Sequence, residues 1–166
     1  MIDLGNGYRL STDPTAMQID AIHAYLTRSY WSAGIPLATV GTAVANSIGV
    51  GVFKQGAQVG FGRVTTDRAT FAYLADVYVL EEHQRQGLAQ AMVKALHDHA
   101  ELQGLRRWML ATSDAHGVYA RLGWTKVTDP APFMQRHFPD VYKGPPCAPI
   151  WPPSRRTYLS RPGCLT

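Results

Sequence analysis

Cysteine is scarce in this 166-residue chain: Cys147 and Cys164 are its only two, near the C-terminal end, with no Cys-x-x-Cys pair or histidine cluster beside them. A disulfide framework and a structural zinc site are not indicated, free thiols are expected, and no metal ligand set is expected elsewhere. Long apolar runs are missing too. No stretch approaches the roughly 20 apolar residues that cross a bilayer, and Met1 to Gly7 lack a basic segment and a continuous apolar one, so no membrane partner and a cytoplasmic location are expected. A strong excess of one charge is also lacking. The formal charge is +4, but Lys143, Arg155, Arg156 and Arg161 against Asp140 account for most of it, leaving twelve basic and eleven acidic residues before position 139. A basic face with interleaved aromatics is therefore absent from the body, and nucleic acid is not an expected partner.

The length suits one domain with its own core. Gly7 to Ser11 reads as a strand, and Asp13-Pro14 as an N-cap with proline at the first helical position. Ile19, Ile22 and Leu26 then recur at helical spacing as far as about Arg28. Ser29 to Pro36, with Tyr30 and Trp31, reads as a loop, followed by a short helix over Leu37 to Ala45. Ile48 to Phe53, Ala57 to Thr65 and Thr70 to Leu80 form a three-strand meander. Leu88, Met92, Leu96 and Ala100 mark a long helix with Gly104 as its C-cap. Trp108 to Thr112 is strand-like, Gly117 to Leu122 a short helix, and Trp124 to Val127 extended. The resulting order is β-α-α-β-β-β-α-β-α-β.

Chemistry concentrates at Gln84-Arg85-Gln86-Gly87-Leu88-Ala89, between a strand and the strongest helix. The first N–H groups of that helix lack intrahelical acceptors and lie at its positive end, which makes an anion site. Gly87 and the small Ala89 would let a diphosphate approach the amides, and Arg85 adds a charged donor.

This segment resembles the acetyl-CoA loop of the GNAT superfamily of N-acetyltransferases, written Gln/Arg-x-x-Gly-x-Gly/Ala; Gln84, Gly87 and Ala89 match it. Ala75-Asp76-Val77-Tyr78-Val79 before it is similar to the family's splayed strand. Asp114 to Trp124, with Tyr119 ahead of Leu122-Gly123-Trp124, resembles its second signature. The resemblance spans about Ile48 to Val127, and the N-terminal helices by element order. It implies an α/β (α+β) fold: a single GNAT-like domain over residues 1–138, its central, mostly antiparallel mixed sheet covered by helices on both faces. A proline-rich extension, 139–166, holding seven of the eleven prolines, would pack on or near the domain, with Trp151 and Tyr158 as contacts.

The resemblance further implies acetyl-CoA as cosubstrate. The cofactor would be held by Gln84, Arg85, Gln86, Gly87, Leu88 and Ala89, by the backbone of Val77, Tyr78 and Val79, and at Asp114. An amine acceptor must lose a proton before attacking a thioester, and the leaving thiolate must gain one. Tyr119 is the expected acid. Asp76 interrupts an apolar strand where burial would favour its proton-bearing form; it is the expected base, or else a ligand of the substrate. A backbone N–H near Val79 would stabilise the oxyanion. Tyr30 and Trp31 are the expected acceptor-pocket residues. His116 could touch CoA or substrate but reads first as a solvated helix-start residue, and His97 and His99 read as a surface face. The function expected is acetyl transfer from acetyl-CoA to the primary amine of a small molecule, with a homodimer open as an assembly. An acyl-CoA-binding module without turnover, or acetylation of a protein amine with the tail as docking element, are the competing readings.

Overall fold

A computed structural model describes residues 1–143; most of the expected extension, with Trp151, Tyr158 and both cysteines, lies outside the described residues. Within it are six strands, β1 (Ile2–Gly5), β2 (Tyr8–Ser11), β3 (Ile48–Lys54), β4 (Ala57–Thr66), β5 (Phe71–Val79) and β6 (Arg107–Met109). They form one sheet in sequence order. Every neighbouring pair is antiparallel except β5 and β6, which are parallel. The helices are α1 (Ile19–Leu26), α2 (Leu37–Ala45), α3 (Leu88–His97) and α4 (His116–Ala120).

Apolar side chains sort to both faces of the sheet. Leu88, Met92, Val93 and Leu96 of α3 pack with Val50, Val52, Val64 and Leu74 in one cluster. Ile22 and Leu26 of α1, Val40 of α2, Phe61 and Tyr78 form the other. Burying each of these side chains contributes about 1.5–3 kcal/mol, so the two clusters fix both helical layers to the sheet. Tyr142, in the first residues of the extension, packs against the second cluster.

Several local expectations are corrected. Strand β1 was not expected; it pairs with β2 through the two-residue turn Asn6-Gly7, both at positive φ (52° and 76°), the backbone that Asn-Gly favours in hairpins. Asp13 caps only a one-turn 3-10 segment, Pro14–Ala16. The main helix waits until Ile19, because Gln18 and Gln58 exchange backbone-to-side-chain hydrogen bonds of 2.7 and 3.0 Å that hold this segment extended against β4. Helix α3 stops at His97; Ala100–Leu102 form a separate 3-10 turn that inserts buried Leu102 into the core, and Gly104 (φ 73°) follows that turn instead of capping α3. Trp124 to Val127 join no strand; the indole of Trp124 instead donates to Nε2 of His97 at 3.2 Å.

Candidate active site

The cleft originates in a count of residues. Along β4 and β5, Phe61 pairs with Tyr78 and Arg63 with Ala75, so Asp76 and Val77 together stand opposite the single residue Gly62. Such a bulge bends the strand. Asp76 takes the left-handed backbone (φ 55°), which aspartate tolerates better than most residues. Glycine opposite keeps the crossing uncrowded, since a Cβ on Gly62 would sit 3.3 Å from Cγ2 of Val77, a tight contact.

On its other side β5 pairs with β6 only from Phe71 to Tyr73. The two strands then part, and a cavity of about 1110 Å³ fills the gap. It runs along Leu74 to Val79 of β5, reaches Gln84, Ala89 and Val93 at the start of α3, and is bounded by the Ala111–Ala115 segment and Tyr119. Tyr30, Trp31 and Tyr25 enter it from α1 and the loop that follows.

At the α3 end, Gly87 is the N-cap at φ 74° and no side chain caps the helix, which leaves the first amides of α3 without intrahelical acceptors. Arg85 (φ 61°) and Gly87 are both left-handed, a curl of the general kind that can aim backbone N–H groups at an anion. Gln84 is fixed by donation from Nε2 to the Val79 carbonyl at 3.1 Å. The expected loop residues divide here. Gln84 and Ala89 line the cavity; Arg85, Gln86 and Gly87 are exposed beside it; the Leu88 side chain is buried in the core, so only its backbone faces the loop. A Cβ on Gly87 would meet no protein atom, so within the protein its backbone angle is what calls for glycine. An open, uncapped helix start with a small residue facing the cleft fits the diphosphate of CoA.

Asp76, expected as base or substrate ligand, lines the cavity as one half of an ion pair. Its Oδ2 pairs with Nε of Arg63 at 2.5 Å, and its Oδ1 accepts from the Trp31 indole at 3.1 Å. Arg63 Nη1 also donates to Ser47 Oγ at 3.0 Å and Thr65 Oγ1 at 3.1 Å. Asp76 is therefore a paired charge that fixes Trp31 at the cleft. Arg63 was missed at the sequence level, although it interrupts an apolar strand just as Asp76 does.

Tyr119, on α4, lines the cavity, and burial, then Tyr30 and Asp114, push its phenol above the ordinary range. Its hydroxyl has no hydrogen-bond partner among the described residues. Asp114 lines the cavity just ahead of α4. Tyr30, largely exposed, is tied across the opening by a 2.8 Å hydrogen bond from Ser113 Oγ to its hydroxyl. Tyr25 stacks on Tyr78, centroids 3.8 Å apart and planes 6° from parallel. His116 is exposed, as expected. His97 is half-buried between Trp108 and Trp124, which corrects its assignment to a surface face; burial lowers its pKa. Among the described residues no cluster of histidine, cysteine or acidic side chains could hold a metal, and no helix is long and apolar enough to cross a membrane.

Comparison with known proteins gives concordant results. The model of the Acetyltransferase (GNAT) family matches residues 16–124. A protein of Gibberella zeae described as an acetyltransferase is 34% identical over 137 residues, covering 69% of this chain and 76% of that one. The crystal structure of a protein described as a GNAT-family acetyltransferase from Xanthomonas campestris pv. campestris is 46% identical, with a TM-score of 0.80, and covers 82% of this chain and 97% of that one. A Clostridium acetobutylicum structure described with acetyl-CoA shares the fold at 14% identity and a TM-score of 0.58, covering 78% of this chain and 94% of that one.

Proposed function

The chain belongs to the GNAT family of acetyltransferases, and on that premise we propose that it transfers an acetyl group from acetyl-CoA directly to the primary amine of a small molecule. The observation that carries this reading is the continuity of one cleft from Gln84 and Ala89 at the start of α3 to Tyr119 and the Asp76–Trp31 pair.

Acetyl-CoA supplies an activated thioester. The open amides of Leu88 and Ala89, with the curl at Arg85 and Gly87, hold its diphosphate. The strand edge of Val77 to Val79, which has no β6 partner, offers backbone groups to its extended arm, and an N–H near Val79 steadies the oxygen on which negative charge grows. Tyr119, like any phenol, is protonated through the neutral range; it donates a hydrogen bond to the departing sulfur and passes it the proton, which cleft water then restores. Trp31 and Tyr30 border the acceptor. Asp76, paired with Arg63, positions Trp31 beside the acceptor, whose ammonium gives its proton to water in the cleft before the amine attacks.

The test is thiol release from acetyl-CoA across a broad panel of amines, with Tyr119→Phe beside the parent chain. The expected result is a 10²- to 10⁴-fold lower kcat with CoA affinity changed less than about threefold. An unchanged kcat removes Tyr119 from the role, and CoA binding without amine-dependent thiol release refutes transfer.

A further inference from the structure

Arg28 lines the same cavity, yet no step above uses it. It follows Thr27, the C-cap of α1, and its guanidinium carbon lies 5.6 Å from the centroid of Tyr25, whose ring in turn stacks on Tyr78. The other charges nearby are accounted for. Arg63 and Asp76 neutralise each other. Glu81 and Asp114 act electrostatically on the Tyr25 phenol, but neither forms an ion pair with Arg28 among the described residues. Arg28 is thus an exposed cation held on an aromatic face with no carboxylate against it.

Donors gather around it. The hydroxyls of Tyr25 and Tyr78 have no hydrogen-bond partner among the described residues. Among the described residues no buried side-chain polar atom is left unpartnered, so both hydroxyls open into the cavity that they line. Burial, the largest influence on each, pushes both phenols up, and the charge of Arg28 opposes it only in part. Both therefore remain O–H donors at neutral pH. The guanidinium is a donor only and each phenol adds an O–H donor, a set that suits an anion. A planar guanidinium forks a carboxylate or phosphate with two parallel bonds. The donor's own diphosphate is served elsewhere, since the loop before α3 belongs to the opposite face of the sheet from α1.

We propose that the acceptor carries an anionic group besides its amine, and that this group docks on Arg28 with the hydroxyls of Tyr25 and Tyr78 beside it. The acceptor class is then amino acids and related amine carboxylates, or amine phosphates. This rests on the transfer reading above, and it sets specificity at a residue outside the chemistry.

The experiment uses matched pairs: phenylalanine with phenethylamine, alanine with ethylamine, and phosphoethanolamine with ethanolamine. Each is measured by calorimetry on the CoA-loaded full chain and by thiol release from acetyl-CoA. In at least one pair the anionic member should be preferred by about 10- to 100-fold, and the carboxylate and phosphate arms tell which anion is read. Arg28→Gln should collapse that ratio to within about threefold, and Arg28→Lys should keep part of it. Because Arg28 is exposed, both variants should fold, as their urea midpoints will report. The proposal is overturned if the members of every pair bind alike or not at all, if Arg28→Gln keeps the preference, or if it weakens acetyl-CoA binding equally. Anion-selective binding without thiol release would instead count against transfer and leave the role of Arg28 standing.

Discussion

Replacing Asp76 by asparagine, glycine and alanine separates the two stresses concentrated at the bulge. The carboxylate pairs with Arg63 and accepts from Trp31, with side-chain exposures of 9% for Asp76 and 19% for Arg63. Hydrogen bonds to charged groups contribute roughly 1.5–3 kcal/mol, and Arg63 keeps its bonds to Ser47 and Thr65, so Asp76→Asn should lower stability by about 1–2 kcal/mol. Asparagine tolerates the positive φ of 55° as aspartate does. Alanine loses the pair and the indole bond, and it must also adopt a left-handed backbone costing about 1–2 kcal/mol; a total loss of about 3–5 kcal/mol is expected. Glycine loses the same contacts without that strain, offset by about 0.5–1 kcal/mol of extra chain entropy. The expected order of stability is parent, Asn, Gly, Ala, with Gly above Ala by roughly 0.5–1 kcal/mol. Equilibrium urea unfolding measures it, provided the m-value is constant across the series. Alanine as stable as glycine would refute the strain, and asparagine as unstable as alanine would refute the division between charge and backbone.

Alkaline conditions probe the buried phenols. Tyr78 and Tyr119 both titrate higher when folded than when unfolded, so the unfolded chain loses their protons first and stability is lost as pH rises past about 10, where a free tyrosine titrates. Tyr78→Phe should flatten that decline in urea midpoints between neutral and strongly alkaline pH; parallel declines would show that Tyr78 contributes nothing to it. At the loop, Gly87→Ala should cost about 1–2 kcal/mol of stability through its φ of 74°, with no clash inside the protein. Its CoA affinity should fall by tenfold or more, and calorimetry with CoA at unchanged affinity would sink the proposed contact between diphosphate and amides.

The features legible in the sequence are those whose physics is local. Gly87 at a helix start, an aspartate interrupting an apolar strand, and the i, i+4 run from Leu88 each state their own backbone or burial requirement within a few residues. What escaped depends on contacts between distant segments. The delayed start of α1 follows from bonds between Gln18 and Gln58, 40 residues apart, and the tie between Tyr30 and Ser113 spans 83. The setting of Arg28 needs Tyr25 stacked on Tyr78, a meeting of helix and strand that spacing does not encode. His97 was misplaced for the same reason, because Trp124 returns to cover it. The Asn6-Gly7 hairpin signal, by contrast, was present and passed over.

The extra residue in β5 also acts as a phase inverter. Ahead of it the even-numbered Ala72 and Leu74 point to the α3 core; beyond it the odd-numbered Val77 and Val79 do, and Tyr78 turns to the α1 side. Side chains alternate strictly along a strand, so a deletion of one residue here would turn Tyr78 and Val79 inside out and rotate the chain entering Gln84 to Ala89. The stacked tyrosine beside Arg28 and the loop before α3 are therefore locked to one another by parity, a relation that substitutions cannot shift and that a single codon lost or gained would reverse.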